Sequence, residues 1–193
     1  MIYRIHHDES YLMHVVPPVE SMNKLGADYG TFAFNAEPKS YAKVWKPLLI
    51  EFRACEGSKA IKVPDISENF GRLFLSVKAH EVLKEVLDPA GEFLPITYDG
   101  GQGFIFNPLL TAEELQAVDE NQTTYDAYGN LEHFGFIEDK LQDVAIFKTA
   151  LDAYKGIICS EAVKEVCNNA ELYGTTFYTD ISNPIGEAYG RTQ

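Results

Sequence analysis

The sequence predicts an α+β fold, with mixed sheets, few helices, two related strand–helix–strand units and additional N-terminal strands. The first observation behind this is a repeated design. Residues 72–98, "RLFLSVKAHEVLKEVLDPAGEFLPITY", and residues 154–178, "YKGIICSEAVKEVCNNAELYGTTFY", match in spacing. From Ser76, a Glu, a Val and a Phe follow as Glu81, Val82 and Phe93; from Ser160 the same offsets give Glu165, Val166 and Phe177. The second observation is periodicity. Ala79, Val82, Leu83 and Val86, and later Ala162, Val163, Val166, Cys167 and Ala170, fall at helical spacing between apolar runs of strand type. The third is composition: 193 residues with 46% hydrophobic and 12% aromatic side chains supply one substantial core. We therefore expect a single domain over 1–193, with a β-rich part at 1–66, the two units at 67–181 and a loose tail at 182–193.

Taken in order, "IYRIHH" and "YLMHVV" read as two short strands around a turn at "DES", ended by Pro17-Pro18. Residues 20–43 show weak periodicity, with "GTFAF" the best strand among them. "VWKPLLIEFRACEGSKAIKV" predicts two strands split by Glu56-Gly57-Ser58. "DISENFG" reads as a polar turn leading into a strand at Leu73–Leu75. A helix follows Ser76 and closes at Pro89 and Gly91, and residues 93–106 form a hairpin around "DGGQG". Thr111 with Glu114 fits a capping box heading a short helix over 112–119. Residues 120–131 are a polar loop, followed by "HFGFI". "DVAIFK" and "GIICS" are strands, a helix runs to Gly174, and "TTFYTDI" is the last strand.

Charge is distributed unevenly. The net charge is −13, and residues 1–110 hold 11 basic and 14 acidic side chains against 5 and 15 in residues 111–193. Nine acids and one base, Lys140, lie within 111–143. Such a field repels phosphates, so no nucleic acid is expected, and it attracts basic proteins. No apolar run is long enough to span a bilayer and no signal peptide is visible, so no membrane association is expected. Cys55, Cys159 and Cys167, an odd number without CxxC spacing, fit a reducing cytoplasm.

No catalytic signature stands out. Ser76 and Ser160 sit where strands turn into helices, but neither has the flanking glycines of a nucleophile elbow, and both read as helix caps. His6 and His14 face each other if the N-terminal hairpin forms, yet no further ligand has metal-binding spacing. Cys159 lies at a helix N-terminus, where a thiol pKa falls, but "GIIC" points it into a core. "YDGGQGF" lacks the lysine of a phosphate loop. No cofactor, metal or catalytic residue is assigned. Tyr125 and Tyr128 among acids have the composition of a protein interface, with rigid aromatics in a charged surround. The candidate partner-binding residues are Glu113, Glu114, Asp119, Glu120, Tyr125, Asp126, Tyr128, Glu138 and Asp139.

Asp65-Ile66 before "LFLS", Asn107-Pro108 in "FIFNPLL", the strand Ile146-Phe147-Lys148, and Ile157–Glu161 with Gly174 and Phe177 together resemble the motifs of immunity-protein family 11 of bacterial polymorphic toxin systems. The similarity spans residues 44–180 and departs after Asn107-Pro108, where "LLTAEELQAVDENQ" replaces the family's usual acidic pair. The resemblance implies a small cytoplasmic, non-enzymatic protein that binds and neutralises a cognate toxin. Given the acidic field, that toxin is expected to be basic; a homodimer would be compatible. Two alternatives stay open: an enzyme with a Cys/His site, and a structural protein of phage origin.

Overall fold

The computed structural model describes residues 1–129 and 131–184. Its elements in chain order are Ile2–His7 (β1), Met13–Val15 (β2), Pro18–Leu25 (α1), Leu48–Leu49 (β3), Glu51–Arg53 (β4), Ile66–Asn69 (β5), Arg72–Ser76 (β6), Val77–Leu87 (α2), Gly91–Tyr98 (β7), Gly101–Pro108 (β8), Thr124–Tyr125 (β9), Leu131–His133 (β10), Ile146–Phe147 (β11), Ile157–Ser160 (β12), Glu161–Asn169 (α3) and Thr175–Tyr178 (β13). The fold is α+β, as the sequence predicts.

Both strand–helix–strand units are present, and their likeness goes beyond sequence spacing. In the five-stranded sheet, ordered β3-β7-β8-β6-β5, strands β6 and β7 run parallel because each is antiparallel to β8 between them. In the four-stranded sheet, ordered β11-β12-β1-β13, β12 and β13 flank antiparallel β1 in the same way. Registers correspond residue by residue. Ile66 opposes Leu75 as Ile146 opposes Cys159, and Phe93 opposes Phe106 as Phe177 opposes Ile5. The amide of Ser76 donates to Asp65 O and that of Ser160 to Ala145 O, both at 2.8 Å. Four residues after each Ser, a helix side chain covers the aromatic ring of the central strand: His80 stacks on Phe104 at 3.8 Å, and Lys164 sits 3.9 Å over Tyr3.

The two units share one core. Leu73, Leu75, Phe106, Leu83 and Leu87 of the first meet Tyr3, Ile5, Ile157, Cys159, Val163 and Cys167 of the second. Strand alternation sends the intervening residues to the opposite faces. There Phe74, Leu94, Ile96 and Ile105 are covered by Leu25, Tyr41 and Leu48, whereas Phe147 and Ile158 are covered by Ala112, Ala117, Phe134, Phe136 and Leu141. Each sheet therefore carries one insertion on its outer face.

Several local expectations fail for identifiable reasons. The first two strands make no hairpin: β1 enters the four-stranded sheet while β2 pairs with β4. Residues 18–25 form a helix, with Pro18 at its first position, Gly26 closing it at φ 76° and Glu20 3.5 Å from Lys24. "GTFAF" holds a 3₁₀ turn, Thr31–Ala33, in place of a strand. "KAIKV" is irregular, with Ile61 and Val63 exposed. "DISENFG" is no mere turn, since β5 and β6 join through Phe70 and Gly71 at φ 53° and 73°, a hairpin turn of the primed class. The helix expected over 112–119 stops after one turn because Gln116 is left-handed at φ 54°. Only Leu131–His133 of the stretch through "HFGFI" is a strand, paired with β9 inside the expected 120–131 loop. Of the tail, residues 185–193 lie outside the described residues, while Ser182 Oγ accepts from the Phe134 amide at 2.8 Å.

Candidate functional site

Residues 109–144 cross the outer face of the four-stranded sheet, held at both ends by main-chain pairing. Ala112 N donates to Lys148 O at 2.9 Å, Lys148 N donates to Leu110 O at 3.0 Å, and Val118 bridges Phe136. With the apolar side chains of this crossing turned to the sheet, its acids are left outside. Glu113 is fixed from the neighbouring segment, its Oε1 accepting from Thr149 Oγ1 at 2.7 Å and Ala150 N at 2.9 Å. Glu114 closes on Thr111, whose hydroxyl donates to its carboxylate at 3.2 Å. Asp119 shapes a turn by accepting from Asn121 N and Gln122 Nε2. Asp126 accepts from Tyr128 N at 2.8 Å, at the tip between β9 and β10.

These side chains do not form one cluster. Glu113, Glu120 and Tyr125 line a groove of about 800 Å³ together with Gln116, Val118, Thr123, Ala150 and Leu151. Glu138 and Asp139 lie apart, in shallow clefts against Met1 and Ile2. Glu114, Asp119, Asp126 and Tyr128 line none of these. Tyr125 and Tyr128 are 56% and 91% exposed. Sequence reading misses Ala150 and Leu151, which arrive from the connection between β11 and β12 and carry no signal of their own. Gln116 and Val118 fall within 112–119, which the sequence predicts as a short helix, so their place on the groove wall was not legible. The phenol of Tyr154 is pushed up by burial and, after it, by the carboxylates of Glu113, Glu37 and Glu114.

The groups an enzyme reading would use are placed differently. Cys159 and Cys167 are buried, and burial pushes their thiols up, that of Cys167 to about 12, so neither is a thiolate at neutral pH. Ser76 accepts from Ala79 N at 3.1 Å as a cap, whereas Ser160 occupies the cap position without that side-chain bond. His6 and His14 do not face each other. His14 shares Ser67 Oγ with His7, at 3.1 and 3.4 Å, and Ser67 is fully buried.

Burial lowers the His14 pKa to about 3. Its unfolded pKa lies near 6.5, so below that pH the unfolded chain binds the extra proton. Stability from His14 is thus complete above pH 6.5 and lost as pH falls toward 3. Glu68, which burial pushes up to about 7, works in the opposite direction between pH 4.5 and 7. Comparing wild type with His14→Gln isolates the histidine. In urea melts, the variant is expected to lose about 2 kcal/mol less between pH 7 and pH 4.5. Equal losses would place the titration elsewhere.

Two buried basic side chains, Arg72 and Lys148, hold the main chain at residues 35–36. Arg72 Nη2 donates to Asn35 O at 2.6 Å and Lys148 Nζ to Ala36 O at 3.0 Å. Arg72 also stacks 4.1 Å from the ring of Phe34. Desolvation lowers Lys148 to about 7.

The resemblance motifs turn out to be structural ties. Asp65 accepts from Ser76 Oγ at 3.1 Å and Tyr173 N at 3.2 Å, joining the two units. Asn107 donates to Lys39 O and to Glu92 Oε1, each at 2.9 Å. Residues 2–181 match the model of the immunity protein family Imm11, and the chain belongs to that family. No curated protein matches it. Among the described residues, no helix is long and apolar enough to cross a membrane.

Proposed function

We propose that this member of the Imm11 family neutralises a cognate toxin domain by binding it directly, without chemistry of its own, through the outer surface of residues 111–143. One observation supports the reading: the segment packs on a sheet by its apolar side, leaves Tyr125 and Tyr128 exposed, and carries nine acids against one base in its sequence. Charge of one sign speeds the encounter with a basic partner and selects against others, and exposed tyrosines supply rigid contact area. The two units share a core and we take the chain to work as one domain, in the cytoplasm, where its three cysteines stay reduced.

The test is co-expression with the toxin domain encoded beside the gene, scoring survival and co-purification together. Wild type is expected to rescue growth as a stable complex. Charge reversal at Glu113, Glu120 and Asp126 is expected to slow association more than tenfold at low salt, with the difference shrinking as salt rises. Undiminished protection by the triple reversal would move the interface elsewhere. Killing in the presence of wild type would end the immunity reading for that pair.

A further inference from the structure

We propose that the groove beside Tyr125 receives an arginine side chain of the partner, its stem against Val118 and Leu151 and its guanidinium against Glu113 and Glu120. This rests on the toxin-binding reading above and names the chemistry of its central contact. The groove is concave and mixed, and it is roomier than the clefts that hold Glu138 and Asp139. Carboxylates stand beside the apolar atoms of Val118, Ala150 and Leu151, and a half-exposed tyrosine ring stands at the same wall. A long side chain with an apolar stem and a charged end is complementary to such a lining.

The carboxylates are unequal in a useful way. Glu113 is held in place before any partner arrives, with Oε1 engaged by Thr149 and Ala150, so little side-chain freedom is lost on binding. Glu120 is exposed, and its carboxylate makes no hydrogen bond among the described residues. One fixed and one adaptable acceptor suit a planar fork of donors. The guanidinium also lies flat on tyrosine faces and sheds water more readily than an ammonium, which favours arginine over lysine. The carboxylates that help push up Tyr154 have the required sign. A volume near 800 Å³ leaves room for flanking main chain as well, so the arginine would arrive on a loop or helix end.

Acetyl-arginine methylamide, titrated into the ¹⁵N-labelled full chain, tests the groove itself, with the lysine and citrulline analogues as controls. Saturable shifts are expected at residues 113–125 and 150–151. Lysine should bind several-fold more weakly, and citrulline should leave the spectrum unchanged. Glu120→Gln, which removes no internal hydrogen bond, should weaken the arginine probe about fivefold. Equal response to lysine, or shifts spread over residues 126–143, overturns the proposal. Co-expression separates the two readings. Wild type that protects from the toxin while the probe fails to bind removes the groove assignment alone. If wild type gives no protection, the toxin reading falls, and with it the assignment of the arginine to a toxin.

Discussion

Arg4→Met is expected to lower the unfolding free energy by about 3–5 kcal/mol, the range for removing one partner of a buried ion pair. Arg4 is 4% exposed, and its Nη2 meets Asp152 Oδ2 at 2.8 Å while Nη1 donates to Ile181 O at 3.0 Å. Without it, Asp152 keeps only the Gly156 amide, at 3.0 Å, and its Oδ1 has no partner among the described residues. Methionine fills much of the volume, so the loss reports charge and not cavity. Urea melts of the single variant and of Arg4→Met with Asp152→Asn measure this. The double variant should recover at least 1 kcal/mol, because the stranded carboxylate is gone. A single-variant loss below 1 kcal/mol would show that the pair is peripheral.

Gly174→Ala is the second large effect. Gly174 has φ 111°, where an L side chain is strained, and an added Cβ would lie 2.2 Å from Pro64 Cβ and 2.3 Å from Ile66 O. Strain and overlap each contribute about 1–3 kcal/mol, so a loss near 3 kcal/mol or more is expected in the same melts. The position explains the severity. Gly174 O accepts from the Asp8 amide at 3.0 Å, and the neighbouring Tyr173 accepts from Asp65 and Ile66, so the residue sits where the two units touch. A drop under 1 kcal/mol would mean that the 64–66 segment yields easily.

How much of this was legible follows from how far each signal reaches along the chain. The repeated unit was visible because strand, cap, helix and return strand each leave a local pattern, and the Phe93 and Phe177 match proved to be a match of register. Pairing partners were not visible. "IYRIHH" carries the alternation of a strand, but nothing in it says that its neighbours are Ile157–Ser160 and Thr175–Tyr178. Helix α1 escaped notice because only Ser21 and Leu25 are buried on it, so its apolar stripe is too thin to show a period. Its Pro at the start and Gly at the end were the better signals. The capping box at Thr111 was real as a contact, yet left-handed Gln116 ended the helix it announced. At the candidate site, the acids could be read as a group because charge is local in sequence. Their division between a groove and separate clefts could not, because part of the groove wall, Ala150 and Leu151, comes from the β11–β12 connection.

The placement of β1 between β12 and β13 has a consequence for how the molecule assembles. The first unit closes on neighbours in sequence, its return strand following by a two-residue turn. The second borrows its middle strand from the opposite end of the chain, and contacts such as Tyr3 with Glu161 bridge 158 residues. Loop-closure entropy makes such contacts late. During synthesis the first sheet has every strand it needs long before the second does, so β1 waits unpaired until the last strands emerge. A circularly permuted chain in which β1 followed β13 would give both units the same order, edge strand, strand, helix, strand, return strand, and would shorten that wait to the time of a hairpin.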